Sequence, residues 1–383
     1  MHIHPVIRVI HKMTYKEFEL EENLFNKLDF MKVKSKVVEE IHKFIGGGNI
    51  KHNMMERNIN MAVYGIVLSR ILHYGLTSGL FNTIALSKNG MTLEEISDKY
   101  PKFDRERLGR FLNAATSSNL LVKKNQWYLV IKENKKYYIK TSDSNLTFFM
   151  NHMLYSTSSQ YDYLEESLCN TRERSDNDIF EILYDDSSRL TSFLDAMWSI
   201  GYADTLEIIK SHLFNKVERV VDLGGGSGVF SILCLLNDKA KNATVFDLPQ
   251  IEFYVNNKME CLNLANRLQF HAGNFFKDAY PKADLYSLGY ICSDWDDETC
   301  ISLISKVFDH LSNGGQIMIM EKLFNESKVE PFETAMMDLC MMVETQGKHR
   351  SYNEYKEMLE SVGFRDIRLI RTEGEKHAIL GRR

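Results

Sequence analysis

The chain has 383 residues, of which 44% are hydrophobic and 26% are charged. This length exceeds that of one ordinary domain, and the composition is that of a globular protein, so two domains are expected. The net charge of -5 gives no overall attraction to a phosphate backbone, and nucleic acid is therefore not expected as a partner.

The six cysteines are scattered along the chain and form no Cys-x-x-Cys pair. They lie mostly in apolar stretches, as buried reduced thiols do, which indicates a reducing compartment, and no metal site is expected. No apolar run approaches the roughly 20 residues needed to span a bilayer, and the N-terminal segment is too polar for a secretory signal. The sequence therefore predicts a cytoplasmic protein without a membrane partner.

The N-terminal part of the chain is predicted to be helical. Residues 1–50 are charged and end in a run of three glycines, which predicts a helical extension followed by a break. In residues 51–150, helices are predicted from Met61, from a Thr92 cap and from Asp104.

Two runs with alternating polarity, LVKKNQWYLV and KKYYIK, follow the third helix and predict a two-stranded wing. Three helices and a wing form a winged-helix domain. Such domains often bind DNA, but acidic residues interrupt the arginines of the third helix, so a role in dimerisation or in covering the substrate is favoured.

The remaining chain is predicted to form a helical linker and an α/β domain. Residues 151–213 are expected to be helices that link the domains and cover the substrate, and residues 214–383 alternate short apolar strands with helices. This alternation predicts a parallel, doubly wound sheet. Its predicted strands are VERVVDL, NATVFDL, RLQFHAG, ADLYSLGYI, GGQIMIMEKL, DIRLIR and HAILGR.

A glycine loop follows the first of these strands, at Asp222 to Gly228. Its GxGxG spacing after an acid differs from the GxGxxG of dinucleotide folds, and no Gly-Lys-Ser/Thr phosphate loop is present. Asp247 ends the next strand, where a carboxylate can accept both ribose hydroxyls, and Asn274 follows the third strand, where it can contact an adenine edge. The sequence therefore predicts a site for an adenosine ligand.

These motifs resemble the plant-type, class I O-methyltransferase family that uses S-adenosylmethionine (SAM) and includes acetylserotonin and caffeate O-methyltransferases. The resemblance covers residues from about 60 to 383. It implies a Rossmann-like domain that binds SAM and leaves S-adenosylhomocysteine (SAH), an N-terminal winged-helix domain that forms an intertwined homodimer, and a small hydroxylated, usually aromatic, acceptor. The matching stretches are GLFNTIALSKNGMTLEEIS, VVDLGGGSG, VFDLPQ, AGNFF, ICSDWDDE, LSNGGQIMIMEKL, ETQGKHRSYNEY and GFRDIRLIR.

The resemblance also assigns residues to the cofactor and the acceptor. The glycine loop would hold the methionine part, Asp247 the ribose, and Asn274 with Phe275 the adenine. Asn274 stands where the family usually has Asp, and its amide carbonyl can still accept a hydrogen bond. The implied cofactor site comprises Asp222, Gly224, Gly225, Gly226, Asp247, Leu248, Asn274, Phe275 and Tyr290.

Three residues are assigned to the acceptor side of the site. Met197 matches an apolar residue that flanks the acceptor and the methyl group. Tyr155 and Tyr161 would line the acceptor pocket or cover the cofactor, although an aromatic run of this kind more often packs a core.

The catalytic residues differ from the family pattern. Family members have a histidine base before the Asp-Trp pair, where this chain has Ser293 before Asp294, and an unactivated serine cannot take a proton at neutral pH. In the family, two acidic residues orient this histidine. Glu321 is present at the first of these positions, and His349 stands at the second. Either His349 is the base, since its usual pKa is near neutrality, or a base is dispensable because orientation and the sulfonium supply most of the catalysis.

The sequence thus predicts an SAM-dependent methyltransferase that acts on a small, aromatic or hydroxylated metabolite, with O-methylation favoured over N-methylation. One alternative is an SAM-binding homologue that catalyses a rearrangement, hydroxylation or decarboxylation. The other is a winged-helix regulator that senses SAM, which the absence of a basic stripe disfavours.

Overall fold

The computed structural model describes residues 58–170 and 186–383. The predicted extension at residues 1–50 lies outside these ranges. The chain divides into two compact units, residues 1–68 and 69–383. In the first unit the described residues 58–68 are mainly helical, and the helix Gly65–Thr77 begins among them. The predicted domain boundaries at residues 50, 150 and 213 stay predictions.

Short helices and a small sheet follow in the second unit. Thr92 caps the helix Leu93–Lys99, because its side chain accepts from the backbone N–H of Glu95 while the Glu95 carboxylate accepts from the N–H of Thr92. This confirms the predicted helix start. The elements are α1 (Gly65–Thr77), α2 (Leu80–Leu86), β1 (Met91–Thr92), α3 (Leu93–Lys99), α4 (Arg105–Ser117), β2 (Val122–Lys124) and β3 (Trp127–Leu129).

The wing forms differently from the prediction. β2 and β3 both come from the run LVKKNQWYLV, which turns back on itself at Asn125, a residue with φ of 54°. β1 occupies the other edge of β3. The predicted strand KKYYIK is therefore wrong, since its first residues form a short helix, α5 (Lys135–Tyr138), whose Tyr138 ring stacks on Phe81 at 5.0 Å.

Helices connect this part to the large sheet. They are α6 (Thr147–His152), a π-helical segment (Met153–Thr157), α7 (Ser158–Gln160), a 3₁₀ segment (Tyr161–Tyr163), α8 (Leu164–Leu168) and α9 (Ser187–Lys210). The Asp186 carboxylate caps α9 by accepting from the backbone N–H groups of Ser188 and Arg189. One face of α9 packs on the sheet through Leu194, Trp198 and Ile208.

The α/β domain contains a large mixed sheet and the helices that cover it. Its elements are β4 (Val217–Leu223), α10 (Val229–Leu236), β5 (Ala240–Asp247), α11 (Glu252–Cys261), β6 (Leu268–Ala272), β7 (Leu285–Gly289), α12 (Asp297–His310), β8 (Gln316–Phe324), α13 (Phe332–Glu344), β9 (Arg350–Ser351), α14 (Tyr352–Val362), β10 (Arg365–Ile370) and β11 (Lys376–Arg382). The strand order is β10-β11-β8-β7-β4-β5-β6, and β9 pairs with β8 off this path. β4 to β8 are parallel, as predicted, whereas β11 runs antiparallel to both β8 and β10. This difference arises because a short turn, and not a helix, joins the last two strands.

Apolar layers cover both faces of the sheet. One layer includes Leu194 of α9 and Ile232 of α10, and the other includes Leu303 of α12 and Leu359 of α14. Both faces of the sheet are therefore covered by helices. The carboxyl ends of its parallel strands form the crevice where ligands bind in such folds. None of the described helices is long and apolar enough to cross a membrane.

Candidate active site

The glycine loop turns sharply between β4 and α10. Gly224, Gly226 and Gly228 have φ of 62°, 50° and 72°, in the left-handed region that favours glycine. A Cβ on Gly224 would lie 2.4 Å from Cδ1 of Ile291 and 3.2 Å from Cε1 of Phe275. The loop therefore brings bare backbone against the residues that follow β6 and β7.

Asp222 lies beneath this loop and braces it. The Ser287 hydroxyl donates to its Oδ1 at 2.6 Å, and the Ser231 hydroxyl donates to its Oδ2 at 3.3 Å. Burial raises its pKa to about 6, against the effect of these hydrogen bonds. Since both carboxylate oxygens already have partners within the protein, Asp222 is positioned to fix the loop.

Asp247 ends β5 beside the same loop. Its Oδ2 accepts from the N–H of Gly226 at 2.8 Å, and its Oδ1 accepts from the N–H of Leu248 at 2.7 Å. Burial raises its pKa to about 6, although these two backbone donors oppose the shift. Each oxygen keeps a further lone pair, so the carboxylate can still accept from a vicinal diol.

Asn274 and Phe275 follow β6. The Asn274 amide oxygen already accepts from the backbone N–H of Phe276 at 2.9 Å, so this side chain can present its NH₂ group as well as the remaining lone pair. The Phe275 ring lies next to Phe276, with 4.5 Å between centroids and 53° between the ring planes. The loop therefore offers an aromatic surface next to Gly224.

Ser293, Asp294 and Glu321 meet beyond the end of β7. The backbone N–H of Ser293 donates to Oε1 of Glu321 at 3.1 Å, while Oε2 of Glu321 has no hydrogen-bond partner among the described residues. Glu321 is fully buried, and burial raises its pKa to about 7. Burial, together with the charge of Glu321, also raises the pKa of Asp294 well above its usual range.

Comparisons with known proteins fit this geometry. The profile of the O-methyltransferase domain family matches residues 164–365. The chain belongs to this family. Acetylserotonin O-methyltransferase of Gallus gallus is 28% identical over 335 residues, which cover 83% of this chain and 95% of that protein. The bovine enzyme of the same name (Bos taurus) is 31% identical over 206 residues, covering 54% of this chain and 59% of that protein.

Solved structures agree on the fold. Human N-acetylserotonin methyltransferase in complex with SAM superposes with a TM-score of 0.75 at 23% identity, and the match covers 86% of this chain and 97% of that one. The mitomycin 7-O-methyltransferase MmcR gives 0.69 at 17% identity, covering 88% and 100%. The resemblance, fold class and enzyme class predicted for this O-methyltransferase are therefore confirmed.

His349 is buried in this O-methyltransferase, on the segment before β9. Its backbone N–H donates to Oδ1 of Asp338 at 2.6 Å, and its Nδ1 atom has no hydrogen-bond partner among the described residues. Burial lowers its pKa to about 4, so the ring is neutral at physiological pH. In the described ranges, no hydrogen bond joins this ring to Ser293 or Glu321.

The three predicted acceptor residues have different surroundings. Met197 is half-buried on α9. The Tyr161 hydroxyl lies 3.3 Å from Sγ of Cys340, on α13. Tyr155 is 61% exposed and makes an edge contact with His73 at 5.5 Å, so its ring lies against α1.

Three further residues of this O-methyltransferase shape the site and were not identified from the sequence. Arg350 is fully buried, and its guanidinium donates to the carbonyls of Cys292 (2.6 Å) and Trp295 (2.8 Å). Gly347 lies so close to Ser293 that a Cβ would be 1.9 Å from the Ser293 carbonyl oxygen. The third is Lys376, at the start of β11. No periodicity or motif marks these residues, because their partners are remote in the chain.

Proposed function

We propose that this chain transfers a methyl group from SAM to a hydroxyl of a small aromatic metabolite. The observation that carries the proposal is the glycine loop whose Gly226 N–H is bound to Asp247. The loop provides bare backbone, and the carboxylate retains lone pairs for a ribose diol, which together suit adenosine.

The cofactor is SAM, and SAH is the product. Human N-acetylserotonin methyltransferase and PigF, two of the structural neighbours, contain SAM and SAH respectively. The residues present here fit the cofactor: the half-buried Gly224 to Gly226 leave backbone accessible to the methionine part, Asp247 can bind the ribose, and the Phe275 ring can pack on the adenine. When bound, SAM supplies an electrophilic methyl group on its sulfonium.

The proton of the acceptor hydroxyl needs a destination. Ser293 stands at the family's histidine position, its backbone N–H donates to Oε1 of the buried Glu321 carboxylate, and Oε2 of that carboxylate has no partner among the described residues. We propose that Ser293 takes the acceptor proton while giving its own to Glu321. His349 is the alternative base, because its neutral ring has an unpartnered Nδ1. Asp294 would shape the pocket beside this pair.

The acceptor would lie between α9 and α13. Met197 and Tyr161 are the candidate contacts on these two sides. Tyr155 is not proposed as a contact, because its side chain is largely exposed and its ring lies against His73 of α1. Curated relatives include acetylserotonin and 3-hydroxy-5-methyl-1-naphthoate O-methyltransferases, whose names specify hydroxylated aromatic acceptors. A phenol-like hydroxyl is therefore the proposed acceptor group.

Two measurements test this function. Calorimetry should show that SAH binds the wild type, and Asp247→Ala should weaken binding about 10- to 100-fold, because hydrogen bonds to a charged group are lost. Asp284→Ala is the matched control, since Asp284 accepts from Arg219 at the opposite end of the sheet. SAM labelled in its methyl group should then label phenolic acceptors. SAH binding without any labelled product would favour a non-methylating reaction instead.

We also propose that the protein is a homodimer formed through its N-terminal region. The described helical residues 58–67 carry large apolar side chains that are 53–70% exposed, which favours an apolar partner surface. These side chains are Ile59, Met61, Val63, Tyr64, Ile66 and Val67.

A further inference from the structure

Lys376 is a buried lysine at the first position of β11. It is 3% exposed, and its backbone N–H donates to Oδ2 of Asp204 on α9 at 2.8 Å. The N–H of Glu375 donates to the same oxygen at 2.9 Å. The side chain therefore begins from a backbone that α9 holds in place.

The ammonium of Lys376 lies against an aromatic ring and two glycines. Its Nζ is 4.1 Å from the centroid of the Tyr290 ring. Added Cβ atoms on Gly289 and Gly201 would lie 3.5 and 3.7 Å from it. Among the described residues, none makes a hydrogen bond or ion pair with this ammonium, so its three donors remain available.

The acids nearest to this ammonium are engaged elsewhere. Asp222 accepts from two serine hydroxyls, and Asp204 accepts the two backbone N–H groups. Oε1 of Glu321 accepts from Ser293, and its Oε2 has no partner among the described residues, Lys376 included. These acids raise the pKa of Lys376, but burial dominates and lowers it to about 8. A buried cation without a bound anion is costly, and an anionic ligand would offset this cost.

The position of the ammonium relates it to the cofactor crevice. Gly201, which borders Nζ, also lies against Val229, the first residue of α10, where a Cβ would be 3.4 Å from Cγ1. Gly289 is the last residue of β7, the strand next to β4. The ammonium therefore lies at the same edge of the sheet as the glycine loop that precedes α10.

We propose that Lys376 binds the amino-acid carboxylate of SAM. The proposal rests on the proposed function, and it specifies which end of the cofactor faces α9. The glycines at positions 201 and 289 leave room beside the ammonium, and the start of α10 supplies a favourable field for an anion. The carboxylate would thus lie between the start of α10 and the first residue of β11.

The experiment compares SAM with decarboxylated SAM, which keeps the sulfonium and the amino group but lacks the carboxylate. By calorimetry, the wild type should bind SAM more tightly than decarboxylated SAM. Lys376→Met should weaken SAM binding about 10- to 100-fold and leave the affinity for decarboxylated SAM unchanged. Lys376→Arg, which keeps the charge, should restore part of the preference. Lys239→Met is the matched control, because this lysine lies 5.5 Å from the Phe214 ring at the opposite edge of the sheet.

The outcomes separate this proposal from the proposed function. Equal weakening of both ligands by Lys376→Met would indicate a structural role and overturn the assignment. Unchanged SAM affinity with a higher KM for a carboxylate-bearing acceptor would assign the ammonium to that acceptor and also overturn it. If Lys376→Met fails to fold, a wild type that binds both ligands equally is sufficient to overturn it. Failure of the wild type to bind SAM at all would instead refute the proposed function.

Discussion

At the scale of single residues, Ser293 and Glu321 form the pair that we propose removes the acceptor proton. A serine occupies the position where the family resemblance implies a histidine, and its backbone N–H donates to a buried carboxylate whose pKa burial raises to about 7. A carboxyl group with this pKa is well matched to a general base near neutral pH. We therefore propose Glu321 as the group that receives the proton Ser293 passes on.

The pH dependence of turnover distinguishes Glu321 from His349. Glu321 must be ionised to take a proton, so kcat/KM should rise with pH through about 7, the raised pKa of this carboxyl group. Glu321→Gln should lower kcat about 100-fold and remove this step. His349→Gln should leave the profile unchanged. If His349 were the base, the profile would rise near its lowered pKa of about 4, and the two variants would exchange effects.

Gly347 should be intolerant of any side chain. A Cβ there would overlap the carbonyl oxygen of Ser293 at 1.9 Å and the carbonyl carbon of Asp294 at 2.4 Å, and backbone atoms cannot rotate away. We expect Gly347→Ala to cost about 1–3 kcal/mol in the free energy of unfolding, measured with denaturant, and to lower kcat. Gly65→Ala, whose Cβ would meet nothing within 4 Å, should not destabilise the protein.

At the scale of elements, short polar signals determine where helices begin. The capping box of Thr92 and Glu95 was visible in the sequence, because a threonine stood before an acidic first turn. Ser351 and Glu354 form an equivalent box at the start of α14. These contacts are local, and local contacts are the ones that sequence patterns reveal.

Removing the Thr92 cap should weaken the protein measurably. Thr92→Ala leaves the N–H of Glu95 without its side-chain acceptor, which should cost about 1 kcal/mol in the free energy of unfolding. Thr92→Ser, which keeps the hydroxyl, should retain most of the stability in the same denaturation experiment. Equal losses in both variants would show that the methyl group, and not the cap, is important.

Elements whose partners are remote were harder to predict. The run Lys135–Lys140 alternates like a strand, but β1 already pairs with the free edge of β3, so tertiary pairing overrides the local pattern. The strands β4 to β8, β10 and β11 of the large sheet were located by their apolar runs, whereas the two-residue β9 was not. The antiparallel direction of β11 was not, because direction depends on the connection between strands and not on their composition.

At the scale of the whole molecule, the sequence identified the family and the cofactor loop, since Gly224 to Gly228 and Asp247 form contiguous motifs. It did not identify Lys376, Arg350 or Gly347. Each acts on residues more than 50 positions away, and a buried lysine before an apolar strand has no periodic signature. Site residues that lie within a sequence motif were therefore predictable. Site residues that are brought together only by folding were not.

The exposed apolar residues of segment 58–67 should determine the assembly state. We expect sedimentation equilibrium to show a dimer for the wild type and a monomer for Ile66→Glu, because Ile66 is 70% exposed and a charge would oppose apolar burial. Leu236→Glu is the control, since Leu236 is 52% exposed on α10 and outside this segment. A monomeric wild type, or two dimeric variants, would contradict the proposal.

The hydrogen bonds that join α9 to the last strand can be followed by hydrogen exchange. The Asp204 carboxylate accepts hydrogen bonds from the backbone N–H groups of Glu375 and Lys376, which lie about 170 residues further along the chain. Their exchange with deuterium requires the two elements to separate. The exchange rates of these two hydrogens therefore measure how often α9 and β11 separate. Slower exchange after a ligand binds would show that the ligand stabilises the contact between them.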